Sequence, residues 1–214
     1  MAFYPKTWAS WLTGIEAVTL DLTSDEDKIS REQMCSFVSQ DAADRPVDAF
    51  VTVLQWGYGT SARGASRARR ILTGGVHDRA RSRSLDPSVA DKLHASIDPI
   101  LAGEPRAAYA QLAFGEGKIA GFGPAFFTKW MYAVSSRGDA RNPEAMPVLD
   151  ALVRDWLSRE ADVHLHYFSA GDYARYVDQL DEWAATKEGL VRTDFELAIF
   201  GLERAFRAKA KAAK

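Results

Sequence analysis

Cysteine is almost missing from this chain of 214 residues; Cys35 is the single example. An internal disulfide, a four-cysteine iron–sulfur cluster and a cysteine-rich zinc site are therefore all excluded. A long apolar run is missing too, so nothing reaches the length needed to span a bilayer. The N-terminus M-A-F-Y-P-K-T-W-A-S-W-L-T-G lacks a basic stretch followed by an apolar one, which predicts no secretion signal and a cytoplasmic protein. Excess positive charge is absent as well, since the formal net charge is −2. Any contact with nucleic acid must then come from a local patch. The phosphate-binding G-x-x-x-x-G-K-S/T and the nucleophile elbow G-x-S-x-G do not occur.

What is present is the composition of a globular protein, with 47% hydrophobic and 11% aromatic residues. The length suits one domain or two closely packed helical lobes. Residues 1–45 read as a polar, irregular N-terminal segment packed on the body, with the acidic run Asp25-Glu26-Asp27 and a short helix near 30–40 capped by Ser30. From Pro46 a helical period takes over. Val47, Phe50, Val51 and Leu54 recur at i, i+3, i+4 and i+7, which marks one buried face, and W-G-Y-G at 56–59 ends that helix.

Further helices are expected over 67–72, 87–101, 105–114, 124–135, from Met146 or Pro147 to about 158, over 170–186, and from Thr193 onward. Thr193 with Glu196 reads as a capping box. Val163–Phe168 is a candidate extended piece. The expectation is an all-α fold of about seven to nine helices, with the body at 46–214.

Three features carry chemistry. I-A-G-F-G-P-A at 119–125 is a glycine turn entering a helix, where small residues permit the bend and backbone N–H groups can face a phosphate. An ordinary helix–helix turn has the same look. Lys129 follows on that helix among Phe126, Phe127, Trp130 and Tyr132. A lysine there either snorkels to water or is held neutral by burial and becomes a nucleophile. Asp150, in P-V-L-D at 147–150, stands near a helix start, where a carboxylate is favoured by the helix dipole or serves as an acid–base group.

Beside these, Arg63, Arg67, Arg69, Arg70, Arg79, Arg81 and Arg83 fall within 21 residues, opposed only by Asp78. Such a run suits phosphate contacts, with Arg63, Arg67 and Arg70 as leading candidates. Arg204, Arg207, Lys209, Lys211 and Lys214 add to a basic field or complement a helix end. His164 and His166 form H-x-H without an evident third ligand, so no metal site is expected.

The order of hairpin, lysine, loop and aspartate resembles the helix-hairpin-helix DNA glycosylases, and in particular bacterial 8-oxoguanine DNA glycosylase proteins of the OGG fold. The resemblance covers the helical body from about Val47. Its specific part is 119–150, with the helix-hairpin-helix at about 112–136. It implies that Gly121 and Gly123 shape a phosphate-binding hairpin, that Lys129 attacks the sugar and Asp150 assists, and that no cofactor is needed. It also implies DNA as partner, with the target base flipped out of the duplex into an aromatic pocket. Trp56 and Tyr58 are the first candidates for its walls, then Tyr167 and Phe168. In eukaryotic-type relatives the lysine stands two residues after the second glycine. Ala125 occupies that place here, and Lys129 lies one helical turn further on the same face. Lys118, before the hairpin, is expected to face solvent. The resembling activity is removal of an oxidised or otherwise modified base, in repair or against modified phage DNA. A non-catalytic DNA-binding module is the alternative.

Overall fold

A computed structural model describes residues 1–21, 27–61, 63–74 and 84–213. Arg79, Arg81, Arg83, Asp78 and Lys214, named above, lie outside the described residues, as do Asp25 and Glu26. Eleven helices occur among the described residues: α1 Pro5–Leu12, α2 Arg31–Asp41, α3 Pro46–Tyr58, α4 Arg63–Leu72, α5 Pro87–Ala95, α6 Ile97–Leu101, α7 Pro105–Ala113, α8 Pro124–Ser135, α9 Ala151–Glu160, α10 Ala170–Ala185 and α11 Arg192–Ala212. The only pairing of strand type among them is an isolated bridge between Ala2 and Lys28. No helix among them is long and apolar enough to cross a membrane.

Helices α3 and α8 form the centre. Val47–Gln55 of α3 and Phe127–Ser135 of α8 are buried without interruption, as expected for helices covered on every side. α3 packs on α2, α4, α5 and α8, while α8 also meets α2, α6 and α7. The last three helices form a second layer, with α11 against α9 and α10, and α10 against α7. α3 carries a carboxylate inside: Asp48 accepts from the Thr19 backbone N–H at 2.8 Å and from the Thr19 hydroxyl, the pairing a buried charge requires.

Several boundaries differ from the sequence expectation. α1 went unseen, because a short helix with only Trp8 and Leu12 buried gives little periodicity. The expected helix 87–101 is broken at Ser96 into α5 and α6. Pro99 accounts for the break, since a proline removes one backbone donor and clashes with the carbonyl four residues earlier. Ser96 then takes a buried post, accepting the Trp130 indole N–H at 2.8 Å. The helix expected from Met146 starts only at Ala151. At the head of α11, Asp194, not Glu196, accepts the Val191 backbone N–H at 3.0 Å.

The segment before α9 decides where Asp150 goes. Residues 145–149 are buried and belong to neither a helix nor a strand, so no ladder pairs with them. Side chains do the pairing instead. The Met146 and Leu149 N–H groups donate to the hydroxyls of Ser135 (2.8 Å) and Thr128 (3.1 Å) on α8. The Tyr173 and Tyr176 hydroxyls of α10 donate to the carbonyls of Pro147 (2.8 Å) and Val148 (2.9 Å). Buried peptide groups are thus satisfied without a sheet, and the segment is pinned between α8 and α10.

Candidate active site

The hairpin between α7 and α8 contains a turn closed by the Phe122 N–H to the Ile119 carbonyl at 3.2 Å. Gly121 sits in it at φ +82°, the left-handed conformation that a type II turn requires at its third residue. Phe122 is driven inward, edge-on to Phe50 at 5.1 Å. Gly123 is the N-cap of α8, and a Cβ added there meets nothing within 4 Å, so this side of the hairpin is open to an approaching group.

One turn into α8 stands Lys129, only 8% exposed. Its amine donates to the Ala125 carbonyl at 2.9 Å and lies 3.5 Å from Asp150 Oδ2. The side chain runs back along the helix, so its head returns to the level of Ala125. That offsets the one-turn displacement noted in the sequence. Burial pulls the amine's pKa below its usual value, against the opposing pull of Asp150. Asp150 is itself fixed: as N-cap of α9 its Oδ1 accepts from the N–H groups of Leu152 (2.9 Å) and Val153 (3.1 Å), leaving Oδ2 toward the lysine. Sequence order puts these two residues 21 apart; the pinned segment brings them together.

Both open onto a cavity of about 380 Å³. Arg31 and Glu32 of α2 contribute to its wall, as do Trp56 and Gly57 of α3, and Val148. Glu196, Leu197, Phe200, Gly201 and Arg204 form the α11 side. Arg31 and Glu196, neither of which the sequence offered as a site residue, form a buried ion pair at 2.9 Å. The Arg31 guanidinium also lies over the rings of Trp56 (5.3 Å) and Tyr132 (4.8 Å). Gly57 makes room for the lysine, because a Cβ there would stand 2.8 Å from Lys129 Cδ and 3.3 Å from Phe126.

Trp56 lines this cavity. Tyr58 and Tyr167, chosen from the sequence as walls for a base, do not. Tyr58 stacks on Phe126 at 4.2 Å and faces a separate recess of about 560 Å³, shared with Trp11, Ser61, Arg63, Ser66, Arg67 and Arg70. Tyr167 lies under the Arg154 guanidinium at 4.2 Å. Its neighbour Phe168 is exposed.

Arg67 bridges recess and hairpin, donating to the Gly121 carbonyl at 3.3 Å. Arg69, counted with the arginine run, turns inward instead and donates to the Trp11 and Thr13 carbonyls at 2.7 and 2.9 Å. Lys118 is exposed. His164 bonds to the Ser158 hydroxyl at 2.8 Å on the surface.

The fold is that of an all-α helix-hairpin-helix protein of the glycosylase type, with a buried lysine beside an aspartate, both facing one cavity. The chain belongs to the family described as "Putative 8-oxoguanine DNA glycosylase OGG-like protein", whose sequence model matches residues 1–200. No curated protein and no solved structure matches it.

Proposed function

We propose that the protein is a DNA glycosylase with associated strand-cleaving lyase activity, and that Lys129 is its nucleophile. The observation that carries this reading is a lysine amine buried in a cavity wall 3.5 Å from a fixed carboxylate. A neutral amine in this position has one N–H on the Ala125 carbonyl and the other toward Asp150, which leaves its lone pair for the cavity.

The lone pair attacks C1′ of a flipped nucleotide as the glycosidic bond breaks and the base departs with the bonding electrons. The amine gives up a proton, which the base takes, with Asp150 as relay. The ring then opens as the C1′–O4′ bond breaks and O4′ is protonated from solvent. The product is a positively charged iminium (Schiff base) joining Lys129 to C1′, from which β-elimination cuts the strand. The Asp150 carboxylate stabilises the positive charge building on the sugar.

Trp56 and Phe200 supply apolar surface for the base. Arg67 and the open Gly121–Gly123 hairpin hold the phosphate backbone, with Arg63 and Arg70 beside them. Phe126 links the two regions, lying 5.5 Å from the Lys129 amine and 6.0 Å from the Arg67 guanidinium. The substrate is an oxidised purine, after the family's description, or another modified base, including those of phage DNA. The biological setting is then base-excision repair or defence.

Borohydride trapping tests this on duplexes carrying 8-oxoguanine, an abasic site or a bulky modified cytosine. Wild-type protein should give a covalent adduct, and Lys129→Gln should reduce it by about a thousandfold or more while still folding. No adduct on any duplex, with DNA still bound, would support a monofunctional glycosylase or the binding-module reading instead. An adduct that survives in Lys129→Gln would identify a different lysine.

A further inference from the structure

The lysine has one carboxylate at contact distance and a second across the cavity, and only the first is used in the mechanism above. Glu196 lies on α11, is 2% exposed and lines the same space as Lys129 and Asp150. A buried carboxylate is costly unless paired, and Glu196 is paired by Arg31 at 2.9 Å. Arg31 in turn is stacked on Trp56 and Tyr132. The ion pair is therefore held rigidly at the cavity wall, where it sits in the same low-dielectric environment as the amine. Burying two opposite charges beside a functional lysine contributes little to stability compared with an apolar pair, so a role at the site is the better account of it.

We propose that Glu196, clamped by Arg31, is a positioning residue for the Lys129 reaction, a second fixed negative charge that stabilises the iminium joining the lysine to the sugar. This rests on the glycosylase reading and extends it: Asp150 manages the proton at contact range, and Glu196 supplies longer-range field to the cation that follows. The charged groups on residues that line the cavity with Lys129 are Asp150 from the head of α9, Arg31 and Glu32 from α2, Glu196 and Arg204 from α11, and the amine of Met1. Of these, Asp150 and Glu196 pull the amine's pKa up, while burial and Arg31 pull it down.

The sign of the effect follows. Glutamine at 196 removes an upward pull and leaves the Arg31 charge, so the amine's pKa drops. The free amine then persists to lower pH, and the ascending limb of the pH–rate profile moves to the acid side. The iminium, having lost a stabilising charge, forms more slowly on the plateau.

The test is the rate of borohydride trapping of the full chain on an abasic-site duplex, measured across pH, a probe that needs no knowledge of the target base. Glu196→Gln should move the ascending limb down by about half a unit to one unit and lower the plateau several-fold. Glu196→Asp, which keeps the charge, should stay near the wild-type limb. Thermal unfolding shows whether Glu196→Gln, with the Arg31 guanidinium stranded, still folds; if it does not, a second variant is used. The double variant Arg31→Gln/Glu196→Gln then carries the test and should also move the limb down, by less. A limb that coincides with wild type in the folded variant, or moves up, overturns the proposal, since a merely structural role would lower the amount of active protein without moving the limb. Wild-type protein that forms no adduct with the abasic duplex overturns the lysine-nucleophile reading on which the proposal rests, which separates the two failures.

Discussion

Replacing Asp150 with asparagine or with alanine removes the same negative charge but treats helix α9 differently. Asparagine caps a helix as well as aspartate does, whereas alanine does not. Because Asp150 Oδ1 holds two N–H groups of the first turn, Asp150→Ala should lose about 1 kcal/mol of stability and Asp150→Asn only a few tenths. Both should slow adduct formation by about a hundredfold or more. Thermal unfolding beside trapping rates on the same preparations checks this, and an asparagine variant as fast as wild type would remove Asp150 from the chemistry.

Lys129 and Asp150 could be found from the sequence because each departs from its apolar surroundings. Arg31 and Glu196 could not, since Glu196 reads locally as a helix-start residue. Its signal was periodic: Thr193, Glu196, Ile199 and Glu203 are all buried on α11, so polar groups occupy a stripe that should be apolar. Arg69 was misplaced for a similar reason. Ala65, Ala68, Arg69 and Leu72 recur at i, i+3, i+4 and i+7 and are buried together, so the helical period put Arg69 inside, while charge alone put it outside.

At the scale of elements, two glycines on facing helices offer a contrast. Gly57 on α3 has no space for a methyl group, since its Cβ would push on Lys129 and Phe126. Gly201 sits inside α11, exposed, with nothing within 4 Å of an added Cβ, yet it lines the cavity mouth. Gly57→Ala should therefore displace the lysine and slow trapping by about tenfold. Gly201→Ala should raise stability by about 0.8–1 kcal/mol, the usual gain for alanine over glycine inside a helix. Melting temperatures and abasic-site trapping for the two variants would show it, and a Gly57→Ala protein with wild-type trapping would mean that the lysine is not confined there.

The helical elements themselves were largely legible. α3 came from its helical period and the W-G-Y-G stop, and α8 from the glycine turn that leads into it. The approach to Asp150 was not, because its hydrogen bonds come from Ser135, Thr128, Tyr173 and Tyr176, and all four lie on other helices, α8 and α10.

For the whole molecule, a formal charge of −2 gives DNA a weakly unfavourable background, so the proposed reading requires the arginine recess and hairpin to hold it. Affinity for duplex DNA should then fall steeply with salt. Arg67→Ala should weaken binding and reduce the slope of log affinity against log salt by about 1, as fluorescence anisotropy over a salt series would measure. A slope unchanged by Arg67→Ala would place the phosphate contacts elsewhere.

The Arg31–Glu196 pair joins positions 165 residues apart, and that separation has a consequence during synthesis. At about 5–20 residues per second, a ribosome needs roughly ten to thirty seconds after making Arg31 before Glu196 exists. The nascent chain can assemble the hairpin and bury Lys129 against α3 in that interval, but the cavity wall on the α11 side is still missing. A chain cut short before α11 would carry a lysine in an incomplete cavity, so a helix made long after the lysine completes the chamber in which it is enclosed.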